Sequence, residues 1–135
     1  MSRNIQDIEG IGPKYAGMLK LHGIDTTDKL LQAGGNRPGR KELSEKTSIN
    51  ESNILKWVNM CDLFRIKGIA GQFAELLEGS GVDTIKELRN RNAANLSLQM
   101  AEVNEAKNLC KSTPSEKIVA LWIQQAKSME SMVTH

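Results

Sequence analysis

The residues best suited to chemistry lie in a glycine-rich segment near the start of the chain. This segment reads Ile8-Glu9-Gly10-Ile11-Gly12-Pro13-Lys14. Proline favours the first helical position, so a helix is predicted to begin at Pro13 with unpaired backbone amides and a partial positive charge at its N-terminus. Such an end suits a phosphate oxygen, and Lys14 would add a charge-assisted contact. The predicted contacts to a nucleic-acid backbone here are Gly10, Ile11, Gly12 and Lys14.

A second segment repeats this pattern with an offset of 58, from Ile8 to Ile66. It reads Ile66-Lys67-Gly68-Ile69-Ala70-Gly71-Gln72. The methyl group of Ala70 and the replacement of the lysine by Gln72 weaken a phosphate site, whereas Lys67 and Arg65 restore part of the positive field. The predicted contacts are Lys67, Gly68, Ile69 and Gly71. The alternative is that both segments only dock helices.

Further basic residues flank the Gly/Pro-rich residues 34–39. Arg37, Arg40 and Lys41 lie there and are predicted to widen the contact with a phosphate backbone. Arg89 and Arg91 follow the matching helix later in the chain. The alternative for all of them is a solvated helix end.

Side chains capable of covalent or metal chemistry are few and isolated. The histidines are His22 and His135, the cysteines are Cys61 and Cys110, and their spacing fits no zinc-ligand set. The sequence also lacks a Walker-type phosphate loop and a dinucleotide-binding fingerprint. Cys61 falls on an apolar helix face and is interpreted as a core residue. We therefore predict no enzymatic activity, no metal and no cofactor.

The elements that must position the glycine segments follow an internal repeat. Residues 8–19 recur at 66–77, and residues 48–61 recur at 113–126. The chain contains no alternating run of β-branched residues long enough for a strand. We predict an all-α fold of two repeats packed into one compact unit. The two repeats are residues 5–62 and 63–131.

Capping residues predict where the helices begin. Ser48 with Glu51, and Thr113 with Glu116, match the capping box, in which a hydroxyl and a carboxylate satisfy each other's backbone amides. This assignment places Pro114 at the first helical position.

Glycines and short polar residues predict where helices end and the next ones start. Gly23 and Gly81 are predicted as left-handed C-caps. The following N-caps are either Asp25 or Thr26, and either Asp83 or Thr84. Residues 34–39 are predicted as the clearest interior loop.

Composition narrows the function. The 135 residues carry a formal net charge of +2 and a pI of about 8.6, below the value near 9 typical of strongly basic nucleic-acid binders. Aromatic residues are few, and Trp57 and Trp122 fall within apolar helix faces, so both are interpreted as core rather than as platforms for stacked bases. No apolar run is long enough for a membrane span and no signal peptide is evident, which predicts a cytoplasmic protein without a membrane partner.

The segment Ile8-x-Gly10-Ile11-Gly12 resembles the helix-hairpin-helix motif. Residues 8–31 are similar to part of the C-terminal domain of the bacterial RNA polymerase α subunit. About residues 5–129 resemble an uncharacterised bacterial family with two helix-hairpin-helix units, through Gly-Ile-Gly-Pro-Lys at 10–14, residues 39–41, residues 56–60 and residues 114–117. The resemblance implies nucleic-acid backbone binding without sequence readout, and it implies no established activity for the family.

Two functions follow as hypotheses. The first is a non-enzymatic module that binds DNA backbone weakly and without sequence preference. The second is a protein-interaction or scaffolding module whose hairpins serve only packing. The near-neutral charge favours the second, and the Gly-Ile-Gly-Pro-Lys segment favours the first. The sequence leaves open whether the nucleic acid is DNA or RNA, and what the oligomeric state is.

Overall fold

A computed structural model describes residues 3–69 and 71–134 of the chain. Within these residues the regular structure is helical, and the only strand-like pairing is a single bridge between Asn4 and Thr26. The prediction of an all-α fold is therefore confirmed. The elements are a 3-10 helix Ile5–Asp7, α1 Pro13–Leu21, α2 Thr27–Gly34, α3 Arg37–Thr47, α4 Glu51–Leu63, α5 Gly71–Gly79, α6 Ile85–Arg89, α7 Ala93–Lys107 and α8 Glu116–Lys127.

One hydrophobic core contains residues from every one of these helices. Trp57 and Trp122 are both buried in it, as predicted. The ring of Tyr15 packs against Trp57 with centroids 5.1 Å apart, and that of Phe73 packs against Trp122 at 5.4 Å. Aromatic pairs at this separation and tilt stabilise the fold beyond the area they bury.

The apolar helix faces predicted to contain Trp57, Cys61 and Trp122 are also confirmed. On α4 and α8 the buried residues include Ile54, Trp57, Val58, Cys61, Val119, Trp122, Ile123 and Ala126. Burial raises the pKa of the Cys61 thiol, with a further contribution from the charges of Asp28 and Asp62. A thiol in this environment stays protonated and unreactive at neutral pH.

Both predicted capping boxes are wrong, because the N-cap of each helix lies two residues later. The side chain of Asn50 caps α4 by accepting from the amide of Ser52 at 2.7 Å, whereas Ser48 ends α3 with a left-handed φ of 62°. The hydroxyl of Ser115 caps α8 by accepting from the amide of Ile118 at 3.2 Å. Pro114 therefore precedes the cap instead of starting the helix.

The predicted loop at residues 34–39 is mostly helix. α2 continues through Gly34, and α3 starts at Arg37, which leaves only two residues between them. Asn36 caps α3 by accepting from the amide of Gly39 at 2.8 Å, and Pro38 lies in the first turn. Proline is tolerated there because the amides of the first helical turn have no intrahelical partner.

The turns that follow α1 and α5 agree with prediction. Gly23 and Gly81 both have left-handed φ values, of 78° and 86°. Of the alternative N-caps, Thr26 caps α2 and Thr84 caps α6, each by accepting from the amide three residues later.

None of the helices in the described part of the chain has the length and apolar character that crossing a bilayer requires.

Candidate anion-binding turns

The first glycine turn, residues 8–14, joins the 3-10 helix to α1. Gly10 has a φ of 95°, and a Cβ added there would lie 3.2 Å from Nε1 of Trp57. Glycine is required at this position because a side chain would be both strained and crowded. The side chains of Ile8 and Ile11 are buried on the inner side of the turn, so its outer side faces solvent.

The N-terminus of α1 is open at this turn. Gly12 is the N-cap residue and, as glycine, provides no side-chain hydrogen bond to the helix. Within the described residues, no oxygen accepts a hydrogen bond from the amides of Gly12, Lys14 or Tyr15. Gly12 and Lys14 are exposed, and a Cβ on Gly12 would meet nothing within 4 Å. These amides can therefore donate to an external anion, where the helix dipole favours negative charge.

The second glycine turn, residues 66–72, has a similar backbone but a more occupied surface. Gly68 has a φ of 100°, with Nε1 of Trp122 3.0 Å from the position of an added Cβ. The Lys67 amide donates to Oε1 of Gln125 at 2.9 Å, and Nε2 of Gln125 donates back to the Lys67 carbonyl at 3.1 Å. Ala70, which corresponds to Gly12 in the second turn, lies outside the described residues.

Carboxylates and a carbonyl approach the helix that follows the second turn. A Cβ added to Gly71, which is half-buried, would lie 3.1 Å from the carbonyl oxygen of Asp7. Burial, followed by the negative charge of Glu9, raises the pKa of Glu75 one turn into α5. The start of α5 is thus less open than the start of α1, where a Cβ on Gly12 meets nothing within 4 Å.

The prediction that Ile11 and Ile69 contact an anion is revised by their hydrogen bonds. The amide of Ile11 donates to the carbonyl of Ile8 at 3.1 Å, and that of Ile69 donates to Ile66 at 3.3 Å. Both side chains are buried. These isoleucines hold the turns in shape and have no donor left for a phosphate.

Arg40 is likewise revised, because it is a buried structural residue. Its side chain donates to the carbonyl of Gly34 at 2.9 Å and to that of Thr134 at 2.7 Å, and the residue is only 4% exposed. Arg37 and Lys41, by contrast, are exposed on α3. The basic site predicted at this loop is therefore reduced to two residues.

Three arginines hold the segment that follows α8, residues 128–134. Arg89 donates to the carbonyl of Met129 at 2.8 Å, Arg65 to that of Glu130 at 2.8 Å, and Arg40 to that of Thr134 at 2.7 Å. Arg91 donates instead to the carbonyl of Ser80. Sequence patterns gave no indication of this role, because the partners are backbone carbonyls far away along the chain.

No group of histidine, cysteine, aspartate and glutamate side chains able to hold a metal occurs in residues 3–69 and 71–134. His22 lies exposed at the C-terminus of α1, and His135 is outside the described residues.

The fold and the first turn define an all-helical protein with an open helix N-terminus on its surface. The chain belongs to the family described as Domain of unknown function (DUF4332), which matches residues 9–129. No curated protein and no solved structure matches the chain.

Proposed function

We propose that the protein is a non-enzymatic helix-hairpin-helix module that binds the backbone of nucleic acid, DNA in the first instance, weakly and without sequence preference. The open N-terminus of α1 is the observation that supports this function. Its free amides and Lys14 match a phosphate oxygen, and contacts to phosphates alone carry no sequence information. The proposal places the protein in a bacterial cytoplasm, in keeping with its two buried, unpaired cysteines.

The first turn is the centre of the proposed interface. Its Gly12 and Lys14 amides donate to no described oxygen, whereas the Lys67 amide of the second turn already has an acceptor. Arg37 and Lys41 remain available as additional contacts, but Arg40, Arg65 and Arg89 are engaged with backbone carbonyls. With so few cations available at this interface, we expect it to neutralise about two phosphates and to give a slope of log affinity against log salt near −2 on duplex DNA.

Gly12→Asp tests the proposal without unfolding the protein. An aspartate at the N-cap accepts from the amides of α1 and complements its dipole, so we expect stability to rise by about 0.5 kcal/mol. The same carboxylate occupies the amides and repels phosphate. Fluorescence anisotropy with a labelled duplex at low salt should therefore show binding by the natural chain and none by Gly12→Asp. Urea unfolding of the same samples measures the stability.

A matched pair of charge reversals gives the control. Lys14→Glu should weaken DNA binding at least about fivefold, whereas Lys111→Glu, with the same change in net charge at an exposed site far along the chain, should have little effect. Equal losses in both variants would mean that only net charge matters. Absence of binding by the natural chain at low salt would exclude the proposed function.

An apolar groove beside the second turn favours the second candidate function, a protein-interaction module. The groove has a volume of about 690 Å³ and includes Phe73, Pro114 and Trp122. Ile118 and Leu121 on its wall are 42% and 54% exposed. Exposed apolar patches of this kind mark interaction surfaces. If the two surfaces are separate, Leu121→Glu will leave DNA binding unchanged; a loss would place the DNA contact at the second turn.

A further inference from the structure

A polar cleft lies at the end of α1 opposite the first glycine turn. It has a volume of about 620 Å³. It is lined by Arg3, Asn4, Lys20, Gly23, Asp25, Thr26 and Lys29. Lys20 comes from the last turn of α1, and Thr26 is the N-cap of α2, so the positive end of the α2 dipole borders the cleft.

The cleft holds a concentrated positive charge. Arg3, Lys20 and Lys29 face a single carboxylate, that of Asp25. Their net charge of +2 equals the formal net charge of the entire chain. Within the described residues, neither Arg3 nor Lys20 forms a salt bridge. Two of the three cations are therefore not paired at salt-bridge distance with any described carboxylate.

Arg3 is held in place by its neighbours. Its amide donates to Oγ1 of Thr27 at 3.0 Å, and the amide of Thr27 donates to the Arg3 carbonyl at 2.8 Å. Its guanidinium carbon lies 5.4 Å from the ring centroid of Phe64. A cation–π contact of this kind orients the guanidinium and leaves its N–H groups free for an anion.

Asp25 occupies part of the positive field. Its carboxylate accepts from Nζ of Lys29 at 2.8 Å, and that bond, together with the charges of Lys29 and Lys20, lowers its pKa. Both side chains of the pair are exposed, Lys29 by 54% and Asp25 by 52%. Exposed pairs contribute little to stability, so Lys29 is able to turn towards an incoming anion.

The residues of the second predicted repeat that correspond to the lysines of this cleft are acidic. With the offset of 58, Lys20 corresponds to Glu78, and Lys29 corresponds to Glu87. The turn at Gly81 is also covered, because Nη2 of Arg91 lies 3.0 Å from an added Cβ, whereas a Cβ on Gly23 meets nothing within 4 Å. The same turn is thus built without lysines, so the fold does not require them at the cleft.

We propose that this cleft is a second anion site, which binds a ligand with two or more adjacent phosphates. A single phosphate fills only a small part of the cleft, and the net charge of +2 matches two adjacent phosphodiester groups of charge −1 each. A nucleic-acid strand and a free polyphosphate share the required chemistry. The site goes beyond the proposed function, since it uses no group of the first turn and would exist even if that turn bound nothing.

Inorganic tripolyphosphate is the direct probe. In an amide NMR titration of the full chain at low salt, Lys20, Gly23, Asp25 and Thr26 should shift saturably. The double variant Lys20→Gln, Lys29→Gln should bind about tenfold more weakly. Lys46→Gln, Lys111→Gln is the matched control: both lysines are exposed, and Lys46 forms an ion pair with Glu42 at 2.8 Å, as Lys29 does with Asp25. Equal weakening in both double variants would overturn the proposal.

Asp25→Asn should change the affinity for tripolyphosphate in the opposite direction. Removing the competing carboxylate should strengthen tripolyphosphate binding about threefold. Unchanged or weaker binding would contradict an anion site. If the same amides instead shift with protein concentration in the absence of tripolyphosphate, the cleft binds the acidic residues Glu78 and Glu87 of a second copy. That result would also overturn the proposal.

Labelled duplex DNA distinguishes the two sources of phosphate. If the ligand is a nucleic-acid strand, Lys20→Gln, Lys29→Gln will reduce the magnitude of the salt slope by one to two units, as expected for about one unit per lost contact. An unchanged slope, with tripolyphosphate binding lost, assigns the cleft to a free polyphosphate. Failure of the first-turn proposal would be visible separately, as DNA binding that Gly12→Asp does not affect.

Discussion

Asp62 connects three separate parts of the chain through one buried carboxylate. Oδ1 accepts from Nη1 of Arg65 at 2.9 Å and from the amide of Met132 at 3.2 Å. Oδ2 accepts from the amide of Ile85 at 3.1 Å and from Oγ of Ser131 at 2.9 Å. The residue has no exposed surface, and its four hydrogen bonds offset the cost of burying the charge.

Asp62→Ala should therefore destabilise the protein by about 3 kcal/mol, because it leaves Arg65 without its anion and the buried amide of Ile85 without an acceptor. Glu42→Ala is the control: it removes an ion pair of similar length with Lys46, 2.8 Å against 2.9 Å, but one whose side chains are 65% and 54% exposed, and should cost less than about 0.5 kcal/mol. Urea unfolding followed by tryptophan fluorescence measures both. Similar losses in the two variants would contradict the central role of Asp62.

At the scale of elements, the junction between α3 and α4 places two short polar residues, Ser48 and Asn50, at helix ends that have different requirements. Ser48 has a φ of 62° and its amide donates to the carbonyl of Ser44, which ends α3. Asn50 then starts α4 through its side chain. A left-handed φ favours glycine, and an N-cap favours a short polar side chain, so the two positions have opposite requirements.

Substitutions at this junction should consequently change stability in opposite directions. Ser48→Gly should stabilise the protein by up to about 0.5 kcal/mol, since it relieves the left-handed conformation at a small entropic cost. Asn50→Ala should destabilise it by about 1 kcal/mol. Thermal unfolding followed by circular dichroism gives both values. Had Ser48 been the cap of α4, its replacement by glycine would not be stabilising.

At the scale of the whole molecule, the segment after α8 ties the first part of the chain to the second. Thr134 donates from its amide to the carbonyl of Gly35 at 2.8 Å and accepts from Arg40. The predicted boundary between the two repeats, after Asp62, falls inside α4. The Asp62 carboxylate also accepts from the amide of Ile85, the first residue of α6. The division into repeats at residues 5–62 and 63–131 stays a prediction, and these contacts oppose independent unfolding of the two.

We accordingly expect one cooperative unfolding transition. Trp57→Phe and Trp122→Phe each leave a single tryptophan, one in each predicted repeat, to report on its own surroundings. In both variants the fluorescence and circular dichroism transitions in urea should have the same midpoint. Two separated midpoints within either variant would show that the repeats unfold independently.

Local patterns were sufficient for the helical class of the fold, for the buried faces of α4 and α8, and for the left-handed glycines after α1 and α5. These features depend on residues a few positions apart, whose spacing sets which side of a helix is apolar and which backbone angle is required. The first glycine turn was found in the same way. The family match is also in keeping with the resemblance found for most of the chain.

Predictions from the sequence were wrong where two nearby residues suit the same helix position, or where the hydrogen-bond partner of a side chain is distant along the chain. Ser48 and Asn50 both suit an N-cap, and the preceding helix decides between them by ending in a left-handed residue. The sequence around Arg40 is typical of a phosphate contact, yet the Arg40 side chain donates to the carbonyl of Thr134 in the segment after α8. The basic cleft has no local sequence pattern, because Arg3, Lys20 and Lys29 are separated in sequence and meet only in the folded chain. A charged side chain has the same local pattern whether its partner is solvent, a phosphate or a carbonyl, so packing of remote segments determines its role.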